Sequence, residues 1–175
     1  MKIKINILLI ITFMTLSLKP HSCYAQKFSK QESKAAFVYN FIQFVTWPAE
    51  KTTLTLGIIG NNEFTSILKA KLANQKIGNK GIKIIHYPDN QTQFKCDVIF
   101  IANDSKLNIA IILDEIKNKS ILSIGELDGF CLKGGIINFV EVENGNYFFE
   151  INQVRATEEK IIISSKLLKL AIQAR

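Results

Sequence analysis

The chain has 175 residues, 22 lysines and arginines against 15 acidic residues, and a formal net charge of +7. The lysines fall singly, with no arginine cluster and no recognition module, so the positive balance argues against nucleic-acid binding. Apolar residues make up 47% of the chain, enough to build a core and too many for a disordered segment.

The first residues read as a secretion signal. Lys2 and Lys4 precede an apolar run from Ile5 to Leu18, and a polar stretch from Lys19 to Ala25 ends on small residues. The run is shorter than the roughly 20 residues a spanning helix needs. Pro20-His21-Ser22 lacks the aliphatic residue that lipidation of Cys23 requires, so cleavage is expected after Ala25. Residues 26–175 then form one expected domain with a net charge of +4. Its two cysteines, Cys96 before one expected strand and Cys131 after another, fall about 20 Å apart at about 3.3 Å per strand residue. A disulfide needs Cα atoms within about 7 Å, which implies two separate thiols.

In chain order, Ser29-x-x-Glu32 is a capping box opening a helix that carries Phe37, Val38, Phe41, Ile42 and Val45 on one face. Pro48 ends that helix at Trp47. A strand over Leu54–Gly60 leads into a helix marked by Phe64, Ile67, Leu68 and Leu72, with Asn61 or Asn62 as its cap. Strands follow at Ile82–Tyr87, Asp97–Ala102 and Ile121–Gly125, with a helix through Ile109, Ile112, Leu113 and Ile116 before the last. Alternation of this kind implies right-handed βαβ crossovers. Gly135–Val142 and Tyr147–Ile151 flank Asn144-Gly145, a hairpin signal. A short strand, Lys160–Ile163, and a helix over Ser164–Ile172 close the chain. The expected fold is a Rossmann-like three-layer α/β sandwich, its largely parallel sheet extended by a C-terminal antiparallel hairpin.

Catalytic chemistry is poorly supplied. Past the signal, His86 is the single histidine, so a two-histidine metal site is excluded, and no G-x-S-x-G elbow occurs. No cofactor motif is present. Gly57 and Gly60, followed by Asn61 and Asn62, lie where a phosphate loop would turn from strand to helix. They lack both nucleotide fingerprints. They serve as a tight turn, or as the place where a small anionic ligand meets a helix N-terminus. The segment Gly125 to Phe139 combines Gly125, Gly129, Gly134 and Gly135 with Phe130 and Asn138, a loop on the sheet's carboxyl edge where α/β folds bind ligands. Phe44, Trp47 and Pro48 at the helix end are candidates for packing or for a protein contact, since Trp is a frequent anchor. Sequons at Asn90, Asn103 and Asn118 read as chance in a composition rich in Ile, Lys and Asn.

These segments together resemble the YfiR family. Lys34-Ala-Ala-Phe-Val-Tyr-Asn-Phe-Ile-Gln-Phe-Val-Thr-Trp-Pro48 carries the family's opening pattern. Gly125, Gly129, Phe130, Gly134, Gly135, Ile137, Asn138 and Phe139 carry its glycine segment. Phe149-Glu150-Ile151-Asn152 and Ile163–Ala171 carry the last two. The resemblance implies a non-enzymatic periplasmic domain, often dimeric. It would restrain the periplasmic sensor domain of an inner-membrane diguanylate cyclase or kinase, and so influence cyclic di-GMP and biofilm. On that reading Phe44, Trp47, Pro48 and Phe130 are contact candidates, and Gly125, Gly129, Gly134, Gly135 and Asn138 shape the adjoining loop. Members with disulfides pair their cysteines; Cys96 and Cys131 have no evident partner.

Overall fold

The computed structural model describes residues 29–60, 62–142 and 146–173. The signal segment with its cleavage point, Asn61, and the turn at 143–145 lie outside the described residues.

Helix α1 (Lys30–Gln43) opens on the expected capping box. Ser29 Oγ accepts from Glu32 N at 3.1 Å, and Glu32 Oε2 accepts from Ser29 N at 2.8 Å. The helix stops at Gln43, four residues before the expected end at Trp47. Val45–Thr46 is a short strand, β1, paired antiparallel with β9 (Ile162–Ile163). β-Branched residues suit that pairing, and Trp47 is drawn inward by its indole N–H, which donates to Asp97 O at 3.3 Å.

After β2 (Thr53–Ile59) comes α2 (Glu63–Leu72), capped by Asn62, whose Oδ1 accepts from Thr65 N at 3.0 Å. Next come β3 (Lys76–Ile77), β4 (Lys80–Tyr87), β5 (Val98–Ile101), α3 (Ile109–Glu115), β6 (Leu122–Gly125), β7 (Ile137–Val142) and β8 (Asn146–Ile151). The chain finishes with α4 (Gln153–Glu158), β9, α5 (Ser165–Leu168) and β10 (Ile172–Gln173). The main sheet has eight strands in the order β10-β8-β7-β6-β5-β2-β4-β3. Its central run β4-β2-β5-β6-β7 is parallel, β8 folds back antiparallel on β7, and β10 adds parallel to β8. The order reverses between β2 and β5, the switch point at which such sheets open a crevice.

Two cores sandwich the sheet. Under α1 and α2 lie Phe41, Phe64, Phe100, Ile124 and Phe149; under α3 and the 126–135 loop lie Tyr87, Phe94, Ile99, Ile112 and Phe130. The alternation along β5, Phe100 to one core and Ile99 and Ile101 to the other, is that of a strand covered on both faces. Rings interlock in the first core, with Phe41 4.8 Å from Phe149 and 5.4 Å from Phe139.

The C-terminal segment departs from expectation. α4 appears where no helix was foreseen, capped by Asn152 Oδ1, which accepts from Arg155 N at 2.9 Å. The expected nine-residue closing helix is a single turn, after which Ile172–Gln173 joins β8 as an edge strand. Glu159 anchors this region. Its carboxylate accepts from Asn118 N and Ser120 N, both at 2.9 Å, and pairs with Arg155 at 2.6 Å. That holds two non-glycine residues at positive φ (62° and 54°).

Candidate functional site

A cleft of about 1020 Å³ opens at the carboxyl edge of the sheet beside the β2/β5 switch point. α1 contributes Gln31 and Lys34, and the cap of α2 contributes Asn62. The loops after β5 and β6 contribute Asn103, Glu126 and Asp128, and the hairpin contributes Asn138, Tyr147 and Glu150.

At its base sits a buried ion pair. Lys34 projects from the apolar face of α1, 3% exposed, and its ammonium bonds Glu126 Oε2. The ammonium also lies over the Phe64 ring, 3.9 Å from its centroid, and 4.9 Å from that of Tyr147. These faces are negative and favour a cation. The other carboxylate oxygen, Glu126 Oε1, accepts from Asn62 Nδ2 at 3.0 Å and from Asn103 N at 3.1 Å. Asn62 Nδ2 also donates to Asn103 Oδ1 at 3.2 Å. Open α/β sheets place a ligand's anion between the loops after these two strands. Here the chain's own carboxylate takes that place, tying α1, the α2 cap and the β5 loop to the end of β6.

Gly57, Gly60 and Asn62 each make internal contacts. Gly57 makes room for the Tyr87 ring, which would meet a Cβ at 2.5 Å. Gly60 has φ +94°, and a Cβ there would sit 2.6 Å from Asp104 Oδ1 and 2.7 Å from Ala102 Cβ. Asn62 is spent on its helix cap and on Glu126. Next to the cleft, His86 is exposed and its Nε2 lies 2.8 Å from Gly60 O.

In the second loop, Phe130 is fully buried between two glycines. A Cβ on Gly125 would lie 2.7 Å from its ring and one on Gly135 only 2.1 Å. Gly129 and Gly134 adopt φ +66° and +100°, conformations that glycine accepts without strain. Asn138 pins the loop to the strand: its Oδ1 accepts from Leu127 N at 3.1 Å, and its Nδ2 donates to Leu127 O and Glu150 Oε1.

Of the four contact candidates, two are internal. Trp47 is 9% exposed and Phe130 0%, so as placed they pack beneath the surface instead of projecting from it. Phe44 is half-buried and Pro48 exposed, both away from the cleft. Lys34 and Glu126 went unassigned in the sequence reading. A usable signal existed for Lys34, which shares the helical face of Val38 and Phe41, and a cation on a buried face needs a partner. Glu126 carried no local signal, because its partner lies 92 residues away.

Cys96 and Cys131 are both free. Burial pushes each thiol up to about 12, with Asp97 and Glu150 respectively adding in the same direction. They are protonated and poorly nucleophilic at neutral pH. Among the described residues no group of three His, Cys, Asp or Glu could hold a metal ion, and no helix is long and apolar enough to cross a membrane.

A glycine-shaped edge loop, a cleft with an internal ion pair at its base and an aromatic first helix packed on a largely parallel sheet define an α/β domain. The YfiR/HmsC-like family model matches residues 31–172, and the chain belongs to that family. No curated protein matches it significantly. Among solved structures it is similar to a conserved domain protein from Vibrio cholerae (TM-score 0.59, 13% identity, 83% of this chain and 60% of that one). It is also similar to an ABC domain from Streptococcus pneumonia in complex with L-Trp (TM-score 0.55, 13% identity, 82% and 60%). At such identity these matches establish the fold, and the chain spans about 60% of the length of either neighbour.

Proposed function

We propose that this chain is an exported periplasmic regulator. It binds the periplasmic sensor domain of an inner-membrane signalling protein, a diguanylate cyclase or a sensor kinase, and holds it inactive. The observation that carries this reading is the family match over residues 31–172. The Lys34–Glu126 pair at the base of the cleft is engaged by internal partners and ties the first helix to the sheet edge. Restraint follows from differential affinity: the regulator binds the inactive receptor conformation more tightly, and its loss releases cyclic di-GMP synthesis or phosphorylation. A homodimer is the proposed binding form.

The proposed contact surface runs along the cleft's outer rim. Leu132 and Val154 are each 72% exposed and line one shallow groove, while Leu132 and Ile172, the latter 38% exposed, border the cleft itself. Exposed apolar residues grouped in this way suit a protein partner. Leu132→Asp and Val154→Asp should abolish capture of the receptor's periplasmic domain with thermal stability unchanged. Capture that survives both substitutions moves the contact to another face.

A second reading, a small ligand held in the cleft, is favoured by the cleft's volume and by the L-Trp bound to the streptococcal neighbour.

A further inference from the structure

We infer that the open edge of β4 takes up an extended, acidic segment of another protein as an added strand. β3 covers β4 only at Lys80 and Gly81. The chain before Lys76 belongs to the end of α2, where Gln75 N donates to Leu72 O at 3.0 Å, so the ladder stops there. From Ile82 to His86 no strand lies outside β4 among the described residues. Gly81 N donates to Thr52 O, toward β2, so strand alternation turns the N–H and C=O of Ile82, Ile84 and His86 outward. Such a row of donors and acceptors is a template for strand addition. Ile82, Ile84 and Ile85 are half-buried along it, which leaves apolar area for an added strand to cover.

Charge selects the occupant. Between Ala73 and Pro88 the chain carries Lys76, Lys80 and Lys83 and no acidic residue. No ion pair engages any of the three among the described residues. Lys76 lies opposite Gly81, which puts it on the same face of the sheet as Lys83, and both are exposed. An added strand with carboxylates at alternate positions meets both ammoniums on that face. Its other residues lie beside Ile82 and Ile84, which pack on the first core. A second copy of this chain would bring two lysine-bearing strands edge to edge, and edge lysines are a means by which sheets avoid self-pairing. The β4 edge stands at the other end of the strand order from β7 and β8, so it is distinct from the rim that carries Leu132 and Val154.

The test is calorimetric and NMR titration of the exported protein with a short capped peptide alternating glutamate and valine. Two controls run in parallel at matched ionic strength: a lysine–valine peptide, and the acidic peptide N-methylated throughout, which keeps its charge and loses its backbone donors. Saturable binding of the acidic peptide is expected, with the amides of Ile82, Ile84 and His86 protected from hydrogen exchange and neither control binding. Lys76→Glu/Lys83→Glu, a change at two exposed positions, should weaken it about tenfold. Equal binding of the lysine–valine peptide, or binding that the double variant leaves unchanged, overturns the acidic assignment. Equal binding of the methylated peptide means charge attraction without an added strand and overturns the inference. So does an absence of binding, or binding that leaves the three amides exchanging as before. Self-association that protects the same amides without any peptide gives the edge to a second copy and overturns it too. The titration uses no receptor, so its failure leaves the contact proposed at Leu132 and Val154 standing.

Discussion

Removing the ammonium of Lys34 should cost more stability than any other single charge change in the described structure. Lys34→Met keeps an unbranched stem of similar volume in the channel between Phe64 and Tyr147 while leaving Glu126 charged, with a side chain 8% exposed. An uncompensated buried partner costs about 3–5 kcal/mol. The two hydrogen bonds from Asn62 and Asn103 to the opposite oxygen remain and keep the loss from running higher. For a domain of this size that corresponds to a fall in Tm of roughly 6–20 °C. Urea unfolding followed by circular dichroism measures it, with an unchanged slope confirming that the folded state is intact. The double variant Lys34→Met/Glu126→Gln removes both charges and keeps an acceptor for Asn62, so it should recover at least about 2 kcal/mol of the loss. A single-variant loss below about 1 kcal/mol, or no recovery in the double variant, would refute the claim that this pair ties α1 to the sheet edge.

Other expectations follow from the same contacts. Gly135→Ala drives a methyl into the Phe130 ring and should destabilise by about 1–3 kcal/mol in chemical denaturation; a neutral result would mean that the loop repacks freely. Both thiols are raised from 9.0 to about 12 by burial, so the folded state holds its protons more tightly. Stability should therefore be fully expressed below about pH 9 and decline between pH 9 and 12, a slope that Cys96→Ser/Cys131→Ser flattens. Alkylation of the native protein at pH 7 should be far slower than that of the unfolded chain. Trp47→Ala should cost about 3–5 kcal/mol, because it empties a buried site and leaves Asp97 O with one donor fewer.

The order and kind of the central elements were legible because their signals are local. Ser29 and Glu32 cap one helix, and β5 with its unbroken apolar run reads as a strand covered on both faces. Isolated pairs of strand residues, such as Val45–Thr46 and Ile172–Gln173, carry no periodicity and form only because a partner strand is already in place. α4 was missed because a six-residue helix burying Ala156 alone has no apolar stripe to read. The last helix was overextended because Leu167, Leu168, Leu170 and Ile172 keep helical spacing, whereas Leu167 is the one the structure buries deeply. The glycine pattern marked a loop at the carboxyl edge of the sheet, but the reason for Gly125 and Gly135 is the Phe130 ring between them, a contact made across the loop. Packing and contact stayed open for Trp47 because it follows a helix end, and the indole bond to Asp97 that draws it inward spans 50 residues.

The regulator reading is tested most directly by in-cell crosslinking of the tagged full-length protein in its own host, with mass spectrometry of the captured material and Leu132→Asp/Val154→Asp alongside. The account predicts recovery of one inner-membrane protein bearing a periplasmic domain and a cytoplasmic cyclase or kinase domain, lost in the double variant. Recovery of the chain crosslinked to itself alone, in wild type and variant alike, would contradict it.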